Sequence, residues 1–179
     1  MSNFALRQLK RSGWRIIDKE AIPNRCVICV APHTSNWDFI WAILYKRAMR
    51  IKANFFMKKE WFRFPMGYIM KKLGGIPIDR SQKHSMTDIM AAEFSKHDIF
   101  RVALTPEGTR KANAQWKLGF YFIALKAQVP IVLAKIDYVK KEIGCSMSFL
   151  PTGNVELDFQ KIKDFYSGVF GKKPANFVI

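Results

Sequence analysis

His33 and Asp38 stand five positions apart in Ala31-Pro32-His33-Thr34-Ser35-Asn36-Trp37-Asp38, between an apolar run and an amphipathic stretch. An imidazole and a carboxylate within reach of each other can do proton chemistry. The carboxylate accepts Nδ1–H, fixes the tautomer and leaves Nε2 free as a general base. Its charge also steadies the imidazolium formed during transfer. If the chain turns into a helix at Thr34 to Asn36, all acceptable N-caps, Asp38 falls in the first turn and can reach back to the ring. Two readings stay open on these residues alone. Either the pair is a base and its orienting acid, or His33 caps the helix while Asp38 complements its dipole. Ser35 is the nearby hydroxyl, but it lies two residues from the base and outside any Gly-x-Ser-x-Gly elbow. A base without a protein nucleophile suits direct transfer to an acceptor's own hydroxyl. Backbone N–H groups at the start of the helix are candidate donors to an oxyanion.

Two further constellations carry chemistry. Gly74-Gly75-Ile76-Pro77-Ile78-Asp79-Arg80 is a turn and a short strand with an arginine at its end, where paired hydrogen bonds can hold phosphate. Thr105-Pro106-Glu107-Gly108-Thr109-Arg110 follows a strand-like run and puts a carboxylate, a flexible glycine and a second arginine on one loop. Either arginine alone also reads as a surface charge. Together with His33, they form three polar groups after three strands, and in open α/β sheets that edge is where ligands bind.

The elements that must position these groups follow from hydrophobic patterning. Apolar runs suited to buried strands lie at about 25–31, 53–57, 75–78, 100–105 and 130–137. Helix-like segments occupy about 36–50, 60–73, 84–97 and 115–127. Two later runs, about 143–150 and 153–159, alternate more and flank Pro151-Thr152-Gly153, so they read as a hairpin. The alternation predicts an α/β class: a single-domain sandwich with a mostly parallel central sheet flanked by helices. A helix over about 3–17 is expected ahead of it, with Arg7, Lys10, Arg11 and Arg15 on one side and Phe4 and Trp14 among them. That segment suits a membrane surface, or equally a docking helix with a solvated basic face. The division is thus residues 1–24 as a basic amphipathic segment and 25–179 as one domain.

The formal charge of +16 and pI near 10.0 favour anionic partners. Nine Lys or Arg lie between Phe39 and Ile78 against Glu60 alone, interleaved with aromatics and Met. This composition suits an anionic interface, an acyl groove bordered by phosphate contacts, or single-stranded nucleic acid. No nucleic-acid-binding motif supports the last, and no nucleic acid is expected as a partner. Cys26 and Cys29 form a C-x-x-C, but on a strand they point to opposite faces and no second Cys/His cluster exists. They are expected to be buried thiols in a reducing compartment. Charges near the first residues argue against a secretory leader, and no run reaches the ~18 apolar residues of a membrane span.

The ordered motifs resemble the glycerolipid acyltransferase family that includes 1-acylglycerol-3-phosphate acyltransferases. His33 to Asp38 matches its His-x4-Asp block, with Ser35 in the usual place. Gly75 to Arg80 matches a second block, Pro106 to Arg110 a third, and Pro130-Ile131-Val132-Leu133 a proline-led fourth; Lys117 and Gly119 match a Lys-x-Gly after the third. The resemblance implies that His33, oriented by Asp38, deprotonates an acceptor hydroxyl that attacks an acyl thioester. It also implies that Ser35, Arg80, Glu107, Gly108, Thr109, Arg110 and Lys117 bind substrate, that the acceptor is a phosphorylated lipid, and that Pro130 shapes the site wall. The donor is acyl-CoA or acyl-carrier protein as a cosubstrate, with no metal or bound cofactor. The expected setting is cytoplasmic, peripheral on an anionic membrane surface. The other reading is a lipid-binding protein of the same fold without activity.

Overall fold

The computed structural model describes residues 4–19, 21–78 and 83–179. Its strands are β1 (Arg15–Ile16), β2 (Arg25–Ala31), β3 (Asn54–Lys58), β4 (Gly75–Ile78), β5 (Phe100–Leu104), β6 (Ile131–Asp137) and β7 (Glu142–Phe149). Helices are α1 (Phe4–Arg11), α2 (Asn36–Ala48), α3 (Met66–Lys72), α4 (Lys83–Lys96), α5 (Gly119–Ala127) and α6 (Val155–Tyr166). The described strands form one sheet in the order β1-β7-β6-β2-β5-β3-β4, parallel except where β7 runs against β6. The expected α/β architecture with a mostly parallel sheet is therefore present.

Side chains of β2 alternate across the sheet. Val27, Cys29 and Ala31 enter a core with α4, α5 and α6, whereas Cys26 and Ile28 enter a second core with α1 and α2. The cysteines are accordingly free and buried, and burial pushes the Cys26 thiol up to about 12. From β2 the chain crosses through α2 toward β3, and from β5 through α5 toward β6 in the opposite direction along the sheet. Right-handed crossovers in opposite directions put their helices on opposite faces. The ends of adjacent β2 and β5 thus open a crevice at a topological switch point.

Three expectations need correction. The run at 153–159 is helix α6, not the second strand of a hairpin. Asn154 caps it by accepting from Leu157 N–H, and Glu156 and Asp158 occupy the first turn. Val155, Phe159, Ile162 and Tyr166 recur at helical spacing and pack on the α5 side of the sheet, while Leu157 is exposed. The antiparallel pair is instead β6 with β7. The first helix ends at Arg11 rather than 17, because Gly13 takes φ +78° and the chain then enters β1 beside β7. Trp14 is buried against Trp41 and Tyr138, away from the basic face. The helix expected over 60–73 is split into a 3-10 turn, Lys59–Phe62, and α3, with Pro65 between them.

Candidate functional site

Chain direction places His33 just past the end of β2 and Glu107 just past the end of β5, on neighbouring parallel strands. Ser35 is the N-cap of α2 and Asp38 its N3 residue. Ser35 Oγ accepts from Trp37 N–H at 3.3 Å, and Asp38 reaches back to the backbone in a capping box. Asp38 Oδ2 accepts from Thr34 N at 2.6 Å and from Ser35 N at 2.7 Å. Its other oxygen accepts from the Tyr138 hydroxyl at 2.7 Å. His33 Nδ1 lies 3.6 Å from Asp38 Oδ2, within ion-pair range though longer than a hydrogen bond. The Asp38 side chain is 2% exposed and that of His33 24%. Burial alone would raise the Asp38 carboxyl, but the imidazole, the Tyr138 hydroxyl and the two backbone donors outweigh it and hold the group below its ordinary range. Ser35 rather than His33 caps the helix, and Asp38 both completes that capping box and faces the imidazole.

Glu107 does not present its carboxylate to the outside of the loop. It is 2% exposed, and Oε1 accepts from His33 N–H at 2.8 Å. Its Oε2 is buried without a hydrogen-bond partner, and burial pushes the carboxyl up to about 7 despite the His33 N–H. A raised folded-state value means that the folded chain binds this proton more tightly than the unfolded chain. The resulting stabilisation is full below the ordinary value of 4.5 and is lost as pH rises through about 7. Between pH 5.5 and 8 the loss is about 2 kcal/mol. Glu107→Gln should abolish that component, read as the difference between urea unfolding free energies at the two pH values. Equal pH slopes for both proteins would reject a buried, proton-binding Glu107.

The rest of the loop is open. Gly108 adopts φ +65°, and the Lys117 side chain runs so close over it that an added Cβ would lie 2.8 Å from Lys117 Cδ. Lys117 N–H bonds Pro106 O at 2.7 Å, folding the loop onto itself. Thr109 and Arg110 are exposed; Thr109 Oγ1 accepts from Lys111 N–H. Arg80 lies outside the described residues. His33, Ser35, Asp38, Glu107, Gly108, Thr109, Arg110 and Lys117 therefore share one edge. Pro130 does not. It precedes β6, and its carbonyl accepts from Val27 N–H near the start of β2. Because the strands are parallel, a proline that leads into one sits about 13 Å or more below the edge where the others end. It forms no wall of this site.

At the start of α2 the N–H groups of Thr34 and Ser35 bond Asp38, that of Trp37 bonds Ser35, and that of His33 bonds Glu107. Four of the candidate oxyanion donors thus already hold partners. Among the described residues, no three His, Cys, Asp or Glu side chains form a metal-binding group.

Sequence reasoning missed two contributors. Tyr138 is a hundred residues from Asp38, and nothing local marks it. The other is the segment from Gly168 onward, which straps the crevice. Phe170 O accepts from Tyr138 N–H, Lys173 N–H bonds Thr34 Oγ1, and Asn176 Nδ2 bonds Arg110 O. Lys172 Nζ sits 4.7 Å from the Trp37 ring centroid, and Val178 O accepts from the Trp116 indole. Tyr138→Phe removes the hydroxyl while keeping the ring against Trp14. Turnover should drop roughly tenfold with an unchanged KM, as expected for one lost charge-assisted bond. In an Asp38→Asn background the same change should cost far less, because it acts through Asp38. Fully additive losses would reject the coupling.

The chain is also similar to known proteins in sequence and in fold. The sequence matches the Acyltransferase family model over residues 14–136. It is 30% identical over 144 residues to human 1-acyl-sn-glycerol-3-phosphate acyltransferase beta, covering 76% of this chain and 49% of the relative. The chain thus spans about half the length of that curated relative. In fold it is similar to the crystal structure of the 1-acyl-sn-glycerophosphate acyltransferase PlsC from Thermotoga maritima. That superposition has a TM-score of 0.57 at 18% identity, over 94% of this chain and 79% of the other.

Proposed function

This chain belongs to the acyltransferase family, and from that premise we propose that it moves a fatty acyl group from a thioester to the hydroxyl of a phosphorylated lysolipid, 1-acylglycerol 3-phosphate foremost. One observation carries the reading: a buried carboxylate, Asp38, pinned by two backbone donors and a tyrosine, faces the partly exposed imidazole of His33. With Nδ1 toward Asp38, Nε2 takes the proton of the acceptor hydroxyl. The oxygen attacks the thioester carbonyl, a C–O bond forms, the C–S bond breaks, and the imidazolium returns its proton to the departing thiolate. Distances of this kind are often long without substrate and tighten on binding. Ser35 is committed to capping α2, which leaves transfer direct.

Arg110 and Lys117 are cations on the described part of the edge that the resemblance gives to substrate, and Arg80 adds a third by resemblance. A phosphate close to the hydroxyl being acylated suits such a rim. Glu107 is assigned to holding the His33 turn rather than to substrate. The named function of the human relative favours the same acceptor class.

The test is thiol release from acyl-CoA and from acyl-carrier protein across lysophosphatidic acid, glycerol 3-phosphate and non-phosphorylated lysolipids. A no-acceptor control accounts for the three protein thiols. Release that needs a phosphorylated acceptor, with ester appearing in equal amount, is the expected result. Release independent of acceptor, or none with either donor, would overturn the proposal.

A further inference from the structure

We propose that the knuckle from Lys59 to Lys72 is a docking wedge that seats this protein on a bilayer with anionic headgroups; its purpose rests on the lipid acyl-transfer reading above. The knuckle joins the 3-10 turn to α3 and starts where β3 ends. Phe55 pairs with Ala103 and the strand continues to Lys58, so the knuckle leaves the sheet at the edge that carries His33 and Glu107.

Its side chains are arranged opposite to those of a core element. The turn buries none of its residues, and α3 buries only Gly67 and Met70. Phe64 at the tip is 94% exposed, Tyr68 67%, Trp61 54% and Ile69 48%. So much apolar surface at one projecting site marks an interaction surface. A Cβ at Gly67 would lie 2.1 Å from Phe62 O, so α3 packs closely on the turn's backbone. Lys59, Arg63, Lys71 and Lys72 flank these residues against Glu60 alone, and Lys72 Nζ lies 5.5 Å from the Tyr68 ring centroid.

Charge and shape select the occupant. Four cations around an apolar tip complement an anionic headgroup layer over an acyl interior. Trp and Tyr suit the boundary between the two. Phe64 stands almost wholly free of the protein, and a fluid surface accepts such an aromatic without a preformed pocket, which a protein partner would need. Seated this way, the knuckle brings the His33 edge to the surface where acyl chains reside. None of the described helices is long and apolar enough to span.

Co-sedimentation of the full chain with vesicles tests the wedge. Wild-type protein should bind phosphatidylcholine–phosphatidylserine vesicles, bind phosphatidylcholine alone far less, and lose binding as salt rises. Phe64→Ala should weaken binding to the mixed vesicles roughly 20-fold, the order set by one buried aromatic side chain. A Lys71→Gln/Lys72→Gln variant should weaken it as well and reduce the salt dependence. Thiol release with a short-chain, water-soluble thioester and acceptor should stay unchanged in all three proteins. Unchanged vesicle binding by Phe64→Ala would overturn the proposal. So would Phe64-dependent capture of an acidic acyl-carrier protein, or Phe64-dependent self-association, without vesicle binding. Phe64-dependent vesicle binding with no thiol release would uphold the wedge and overturn the proposed reaction.

Discussion

His33→Ala should lower acyl transfer roughly 10³-fold while leaving the protein folded, since a positioned general base contributes on that order. An unactivated hydroxyl must otherwise reach the thioester with its proton in place, and the leaving thiolate loses its nearest acid. The fold does not depend on the imidazole. The ring is partly exposed, and the contact that anchors this residue is its backbone N–H to Glu107, which alanine keeps. Asp38 retains three donors in the variant. Loss of stability should therefore stay within about 1 kcal/mol. Thiol release and urea unfolding measured on one preparation check both halves. Turnover within tenfold of wild type would remove His33 from the base role, and a collapse in stability would make the comparison void of mechanism.

Asp38→Asn should cost less turnover and more stability. Thr34 and Ser35 both donate to Oδ2, so the asparagine oxygen is expected to take that place and its amide to face the Tyr138 oxygen, which can accept. His33 Nδ1 approaches the same Oδ2 position, so the useful tautomer survives. What disappears is the negative charge that steadies the imidazolium, and turnover should fall roughly 10²-fold. Losing charge-assisted bonds and the favourable dipole at the start of α2 should destabilise by about 1–3 kcal/mol. Because the folded carboxyl is held low, its contribution is present above the ordinary value of 3.8 and is lost as pH falls through the folded value. The Asn variant should lack that acid-induced loss. Kinetics across pH and unfolding at neutral and acid pH test these expectations. A 10⁴-fold loss would mean the tautomer is not retained, and near-normal turnover would mean the pair does not work together.

What could be read from the sequence depended on whether the signal was local. The strands from Arg25 to Asp137 are apolar runs between helices, buried in β2 and β6 and half-buried in β3 and β4, and each lies within about a residue or two of its expected span. The turn at His33 announced itself through Ser35 and Asp38, a cap and a carboxylate three residues apart. α6 was misread because Val155, Leu157 and Phe159 alternate like a strand; the competing signal was Asn154 with acids behind it. Pro130 was misplaced because a block that belongs to a motif need not belong to a crevice: strand direction decides which end it occupies. Tyr138 and the strap join the site through contacts 100 and 139 residues apart in sequence, and the burial of Trp14 is displayed by no short window. Glu107 was given to substrate by resemblance alone, and its turn inward to His33 N–H is a matter of packing that no local signal displays.

The strap has a temporal consequence. The turn bearing His33 is among the first parts of the domain to leave a ribosome, whereas Phe170, Lys173 and Asn176, which tether Tyr138, Thr34 and Arg110, are among the last. Translation proceeds from the N-terminal end, so the early sheet can form while its brace is still being made. The His33 turn is thus made well before the segment that braces it.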